Sequence, residues 1–190
     1  YEDLTTGFPL FSMLKHWNGG INRHPIPLNG SSFNIAGING LSFTAIPVTG
    51  KAPPYSPHRN NAHIGDNIGI KVTDESSGKN LFYSPGLGDL TDQTRQLMSE
   101  ADCLLVDGTF WQEDEMQAVG VGDKRAEDMG HLPQSGKNGM INVLKPMNKP
   151  RKILIHINNT NPILDEDSEQ RKILASEGIE VSFDGMDVEL

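Results

Sequence analysis

Two short aliphatic runs in the second half of the chain each end on a residue that could do chemistry. Residues 103–106 lead directly into Asp107, residues 152–155 lead into His156, and His131 lies in the segment between them. Ligands bind at the carboxyl ends of strands in α/β sheets, so these three side chains are predicted to share one rim. An imidazole in such a place can bind a metal or carry a proton. Three alternatives stay open: a helix N-cap for Asp107, a backbone-bonded loop histidine for His131 and a core histidine for His156.

A second group of polar residues lies in the loop predicted over residues 50–66. This segment has three prolines and no hydrophobic period, and it holds His58, Arg59 and His63. A guanidinium can hold a substrate carboxylate through two parallel hydrogen bonds, and His63 could be a ligand or a proton carrier. The spacing of the two histidines matches no standard zinc motif, and a solvated polar loop is the alternative.

Composition excludes several classes of function. The 190 residues carry a formal net charge of −9 at pH 7, which disfavours nucleic acid and acidic membrane surfaces as partners. No apolar run approaches the roughly 20 residues needed to span a bilayer. The single cysteine, Cys103, cannot form an internal disulfide, so it is interpreted as a buried structural thiol. A cytoplasmic setting is the expectation.

The pattern of elements predicts an α/β protein in one domain. The first half reads as a short helix followed by strands, and the second half alternates helix and strand, which favours a mixed sheet with helices outside. The predicted strands cover 33–35, 41–48, 67–72, 80–83, 103–106, 153–157 and 179–183. The predicted helices cover part of 4–17 after Pro9, then 91–101, 113–117, 139–144 and 165–177.

Several long segments spread over the whole chain are typical of one protein family. They are Phe-Pro at 8–9, His-Trp-Asn-Gly-Gly at 16–20, Ala-Pro-Pro-Tyr-Ser-Pro-His-Arg at 52–59, Ala-Asp-Cys-Leu-Leu-Val-Asp-Gly-Thr at 101–109, Met-Gly-His-Leu at 129–132, Ile-His-Ile-Asn-Asn-Thr-Asn-Pro-Ile-Leu-Asp at 155–165 and Phe-Asp-Gly-Met at 183–186. Together they resemble the coenzyme PQQ synthesis protein B family, a branch of the metallo-β-lactamase superfamily.

The resemblance implies an αββα sandwich whose N-terminal part is missing, with residues 1–190 forming the C-terminal two-thirds of a single domain. His156 matches the late histidine ligand of the family, and the other metal ligands, including an Asp-His motif, would lie upstream of Tyr1. Related nucleases place acid–base groups where this chain has Asp107 and His131. The turn Ser84-Pro85-Gly86 lacks the bridging aspartate of the superfamily, which implies one metal ion instead of two.

The resemblance implies a role in the biosynthesis of pyrroloquinoline quinone (PQQ). The leading hypothesis is a metal-dependent, oxygen-using hydroxylation of a small peptide or tyrosine-derived precursor, with one divalent metal and iron favoured over zinc. Asp107 and His131 would move protons. The residues that would orient the substrate are His58, Arg59, His63, Asn158, Asn159 and Asn161.

Two other functions and the oligomeric state stay open. One is non-catalytic binding or transport of PQQ or of a pathway intermediate, and the other is a plain hydrolase activity. A homodimer is an open alternative. An isolated part of a two-sheet sandwich should also expose apolar faces of strands 41–48 and 67–72, so residues 1–190 alone are expected to be poorly soluble and to bind metal weakly.

Overall fold

The computed structural model describes Thr5 and residues 9–190. Its centre is one seven-stranded sheet in which the strands follow each other in chain order. The strands are β1 (Ser32–Phe33), β2 (Leu41–Pro47), β3 (Ile68–Asp74), β4 (Asn80–Ser84), β5 (Cys103–Asp107), β6 (Arg151–Ile155) and β7 (Ile179–Val181). Strands β1 to β4 pair antiparallel, and β4 to β7 pair parallel.

Short helices accompany the sheet, and all except the first connect its parallel strands. They are α1 (Leu10–Leu14), α2 (Asp92–Glu100), α3 (Glu115–Ala118), α4 (Ala126–Met129), α5 (Met140–Leu144) and α6 (Glu169–Ser176), with a 3₁₀ turn at Pro162–Leu164. The two longest helices begin at hydroxyl N-caps, because Thr91 accepts from the backbone N–H of Thr94 and Ser168 from that of Arg171. Among the described residues, no helix is both long enough and apolar enough to span a bilayer.

The hydrophobic core lies between one face of the sheet and the helices. Period-two alternation along the strands points Phe82, Leu104 and Leu154 to this face, where they pack with residues such as Met98 and Leu174. The α/β class predicted from the sequence is therefore confirmed. Cys103 is buried and unpaired. Burial raises the pKa of its thiol, which fits the predicted structural role.

Several element boundaries differ from the sequence-based predictions. The strand predicted to reach residue 157 stops at Ile155, because His156 turns into the left-handed region with φ of 57°. The last helix starts at Glu169 instead of 165, since Ser168 supplies the cap. Helix α4 was not predicted, because its segment is glycine-rich and lacks a hydrophobic period. The first predicted helix is reduced to α1, and its predicted apolar positions at 4 and 8 lie outside the described residues.

The opposite face of the antiparallel half of the sheet carries an apolar groove. It is lined by aliphatic and aromatic side chains, which are Ile26, Phe33, Ile35, Phe43, Ile70, Val72, Leu81 and Tyr83. Within it the rings of Phe33 and Phe43 stack with centroids 5.8 Å apart. Tyr83 is 41% exposed and Ile35 is 43% exposed, so both are only partly covered by the rest of the chain. This is the face that the sequence analysis expects to be exposed.

This groove predicts how residues 1–190 behave alone. Purified by itself, the chain is expected to associate with rising concentration, because a contiguous apolar face is exposed to water. It is also expected to bind metal weakly, because the resemblance implies that the other metal ligands lie upstream of Tyr1. Light scattering coupled to size exclusion, with metal analysis of each peak, measures both. A monodisperse, metal-loaded sample of residues 1–190 would contradict the prediction.

The left-handed backbone at His156 predicts an unusual order of stability. Replacing His156 by Gly or by Ala removes the same ring, but only glycine adopts a positive φ without a steric penalty. The Gly variant should therefore be more stable than the Ala variant by about 1 kcal/mol. Urea unfolding of the protein expressed from its complete reading frame measures the difference.

The control for this pair is Arg95, an exposed residue inside α2. There the order should reverse, with Arg95→Gly less stable than Arg95→Ala by about 1 kcal/mol, because glycine disfavours a helix interior. Equal or inverted stabilities of the two His156 variants would show that the left-handed conformation is not maintained in solution.

Candidate functional site

The site is built around the carboxylate of Asp107, the last residue of β5, which is fully buried. Oδ2 accepts from the backbone N–H of Leu87 at 2.9 Å and pairs with Nδ1 of His131 at 2.7 Å. Oδ1 accepts from the backbone N–H of Thr109 at 3.0 Å and from its hydroxyl at 2.5 Å. Four partners match the four acceptor positions of an unprotonated carboxylate. The helix N-cap alternative is wrong, because no helix begins at residues 108–110.

The hydroxyl of Thr109 links Asp107 to both histidines. Its Oγ1 lies 2.8 Å from Nδ1 of His156, 3.1 Å from Nδ1 of His131 and 3.0 Å from the backbone oxygen of His156. Sequence reasoning did not select this threonine. The available signal was a hydroxyl two residues after a carboxylate at a strand end, a spacing at which such side chains bond the local backbone.

The two imidazoles lie side by side. The rings of His131 and His156 stack with centroids 5.4 Å apart and an interplanar angle of 23°, and the ring of Phe110 meets His131 edge-on at 5.9 Å. The side chain of His131 is only 15% exposed, whereas His156 is exposed. His156 is therefore not a core histidine. The cluster opens toward solvent on the side of His156.

Asp107, His131 and His156 are brought together by tertiary structure, as the sequence predicts for one rim. Within the described part of the chain, they form the only group of three or more His, Cys, Asp or Glu residues close enough to hold a metal ion, with one ligand atom from each within 4.8 Å of the others. The carboxylate oxygens of Asp107 and the Nδ1 atoms of both histidines are also engaged in hydrogen bonds to each other or to Thr109. A metal bound by the carboxylate would have to replace these bonds.

The asparagine segment after His156 mainly braces the site. Asn161 is buried, and its amide nitrogen donates to the backbone oxygens of Gly108 at 2.9 Å and Thr109 at 3.2 Å. The backbone N–H of Asn158 also donates to the oxygen of Thr109, at 3.1 Å. Asn159 is the exposed member of the three asparagines selected from the sequence. The segment thereby holds the turn that carries the Thr109 hydroxyl.

Two further buried polar side chains hold neighbouring loops, and sequence reasoning missed both. Glu115 is buried, and it accepts from the backbone N–H of Trp111 at 2.6 Å and from the hydroxyl of Thr160 at 2.5 Å. Gln134 is buried, and its amide nitrogen donates to the backbone oxygen of Asp107 at 2.9 Å. The contact of Glu115 with Thr160 and that of Gln134 with Asp107 join segments far apart in the chain, so no local sequence pattern indicates them.

The loop at 50–66 forms a separate polar group. The rings of His58 and His63 meet edge-on with centroids 5.0 Å apart, and Nη1 of Arg59 donates to the backbone oxygen of Ala52 at 2.6 Å. No hydrogen bond joins these side chains to the Asp107 cluster within the described residues. Arg59 does line a cavity of about 310 Å³ whose wall includes Gly130, the residue before His131.

Comparisons with known proteins agree with the resemblance predicted from the sequence. The chain is similar to the coenzyme PQQ synthesis protein B of Methylococcus capsulatus, with 55% identity over 189 residues, covering all of this chain and 62% of that protein. It is similar to the protein of the same name from Pseudomonas syringae pv. syringae, with 57% identity over 190 residues and the same coverage. The chain thus spans about 62% of the length of these curated relatives.

A solved structure and a family model give the same result. The crystal structure of Zn²⁺-bound PqqB from Methylobacterium extorquens matches with a TM-score of 0.81 and 33% identity, over 90% of this chain and 56% of that one. The model of the beta-lactamase superfamily domain matches residues 1–157. The predicted resemblance is confirmed, and the chain belongs to the beta-lactamase superfamily.

Proposed function

We propose that residues 1–190 form the C-terminal part of a single metal-binding domain that acts in PQQ biosynthesis. The observation that carries this proposal is the cluster of Asp107, His131 and His156 in a chain similar to PQQ synthesis proteins. The relatives are longer than this chain, so the proposal concerns the protein expressed from its complete reading frame. In that protein we propose an oxygen-dependent hydroxylation of a tyrosine-derived precursor.

His156 is the proposed metal ligand of this part of the protein. Both Nδ1 atoms and the carboxylate of Asp107 are occupied by hydrogen bonds, which leaves the two Nε2 atoms. Of these, Nε2 of His156 belongs to the exposed ring, so it is the suitable donor to a metal. Imidazole nitrogen suits iron and zinc alike, and the Methylobacterium relative carries Zn²⁺. His156 supplies one ligand, and a catalytic zinc site typically has three from the protein. We propose that the remaining ligands come from the part of the protein that precedes Tyr1.

Iron is the metal that fits the proposed reaction. A ferrous ion held with the help of His156 would supply the redox chemistry that O₂ requires. The turn after β4, Ser84-Pro85-Gly86, offers no carboxylate that could bridge two ions. This makes a two-metal hydrolase the least supported of the functions considered.

His131 is the proposed proton carrier. Its Nδ1–H is held by the buried Asp107 at 2.7 Å, which orients the ring and leaves Nε2 able to accept or return a substrate proton. A carboxylate in this position also stabilises the imidazolium that forms when the ring takes up a proton. Because the ring of His156 stacks on the ring of His131, a substrate at a metal held by His156 would lie beside this pair.

The cavity beside Arg59 is the proposed place for substrate carboxylates. Its guanidinium keeps further donors after the bond to Ala52, and the cavity wall leads through Gly130 toward His131. His58, His63 and Asn159 are exposed and could complete the binding of a polar, acidic substrate. Asn158 and Asn161 act in this proposal by holding the turn at 108–109.

The test uses the intact protein loaded with Fe²⁺ and supplied with the tyrosine-derived precursor, ¹⁸O₂ and ascorbate as the two-electron reductant. One oxygen atom should enter a C–H bond of the precursor as hydroxyl, and the other should leave as water. Mass spectrometry of the product measures the label. A product without ¹⁸O, or no product, would remove the hydroxylase proposal.

Two matched variants separate the proposed roles. His156→Ala should lose the bound metal, whereas His131→Ala should keep it and lose about 10²- to 10⁴-fold in turnover, the usual contribution of a positioned acid or base. Metal stoichiometry and turnover of each variant are the measurements. Metal retained by His156→Ala would assign the ligand elsewhere.

The carrier alternative predicts a different outcome of the same experiments. If the protein only binds PQQ or an intermediate, the metal-free protein should bind PQQ tightly, and His156→Ala should leave both binding and pathway output unchanged. The cavity beside Arg59 would then bind the carboxylates of PQQ, and Arg59→Ala should abolish binding.

A further inference from the structure

We propose that Thr109 is a positioning residue that fixes the protonation pattern of His156 by relaying the charge of Asp107. The inference deepens the proposed metal site and rests on it. Thr109 bonds both residues through a single hydroxyl, at 2.5 Å to the carboxylate and 2.8 Å to Nδ1 of His156. A hydroxyl has one proton to donate and can accept in return, so the two bonds determine each other.

The direction of the relay follows from the acceptors around the hydroxyl. The carboxylate of Asp107 can only accept, it is fully buried, and its contact with Thr109 is the shortest that the hydroxyl makes. The hydroxyl proton therefore goes to Asp107, because a bond to a buried charge is stronger than one to a neutral acceptor. Oγ1 is then an acceptor toward His156, whose Nδ1 must carry the proton.

The consequence for His156 is a lone pair on the opposite nitrogen. A neutral imidazole with its proton on Nδ1 has Nε2 unprotonated, which is the form that binds a metal. Asp107 sets His131 in the same way by direct contact at 2.7 Å. One buried carboxylate thus fixes both rings, one directly and one through Thr109.

The surroundings of Thr109 keep its hydroxyl in place. Its backbone N–H donates to Asp107 at 3.0 Å, and its backbone oxygen accepts from the N–H of Asn158 and from the side chain of Asn161. A β-branched side chain has few χ1 rotamers, so a fixed backbone fixes the hydroxyl as well. The preceding Gly108 has no space for a side chain, because a Cβ would lie 2.9 Å from that of Leu154.

The experiment compares Thr109→Val with Thr109→Ser in the intact, metal-free protein. Valine has the shape of threonine without the hydroxyl, and serine keeps the hydroxyl. Two-bond ¹H–¹⁵N correlation spectra of histidine-labelled protein at pH 8 report which ring nitrogen carries the proton. The wild type and the Ser variant should show His156 protonated at Nδ1, and the Val variant should show the Nε2–H form.

His131 is the internal control in the same spectra. It keeps its direct bond to Asp107 in the Val variant, so its Nδ1–H form should persist there. A general loss of structure would change both rings, whereas loss of the relay changes only His156. Fe²⁺ and Zn²⁺ affinity, measured by competition with a chelator, should fall about 10- to 100-fold in the Val variant and less than tenfold in the Ser variant.

Each outcome decides one of the two proposals. A wild-type His156 protonated at Nε2 would overturn the relay without any variant, even if Thr109→Val failed to fold. Unchanged tautomer and metal affinity in a folded Val variant would overturn it as well. A wild-type protein that binds neither metal would remove the proposed metal site, while the spectra would still show whether Thr109 positions His156.

Discussion

The arrangement of the site depends on one constraint, which is that a buried carboxylate needs hydrogen bonds to all of its acceptor positions. An ionised group without partners in a protein interior costs several kcal/mol, so the surroundings of Asp107 have to supply donors. They come from three parts of the chain: the loop after β4, the turn after β5 and the segment after α4. Satisfying one charge therefore brings together the groups that form the site.

The polar residues around this centre divide into those that present chemistry and those that hold a shape. His131 and His156 present ring nitrogens near solvent. Asn161, Glu115 and Gln134 are buried and bond mainly to backbone atoms of nearby loops. Loops of this length have little apolar surface to bury, so side-chain bonds to the backbone supply the order that a packed helix would otherwise provide.

The two faces of the sheet have different environments. One face is packed under helices and carries the core, while the antiparallel half of the other face carries the apolar groove next to Phe43 and Val72. The parallel strands β4, β5 and β6 end at the site, as expected for ligand sites of α/β sheets. The groove and the site thus lie on different parts of one sheet.

The sequence by itself determined the α/β class, most strands and the choice of Asp107, His131 and His156, because aliphatic runs and the polar residues that follow them are local signals. The resemblance to PQQ synthesis proteins was also readable from contiguous segments. Only the tertiary structure decided that Thr109 joins these residues, because its hydroxyl bonds partners 22 and 47 positions away. It also decided the left-handed backbone of His156, because no glycine stands at that position to indicate a positive φ.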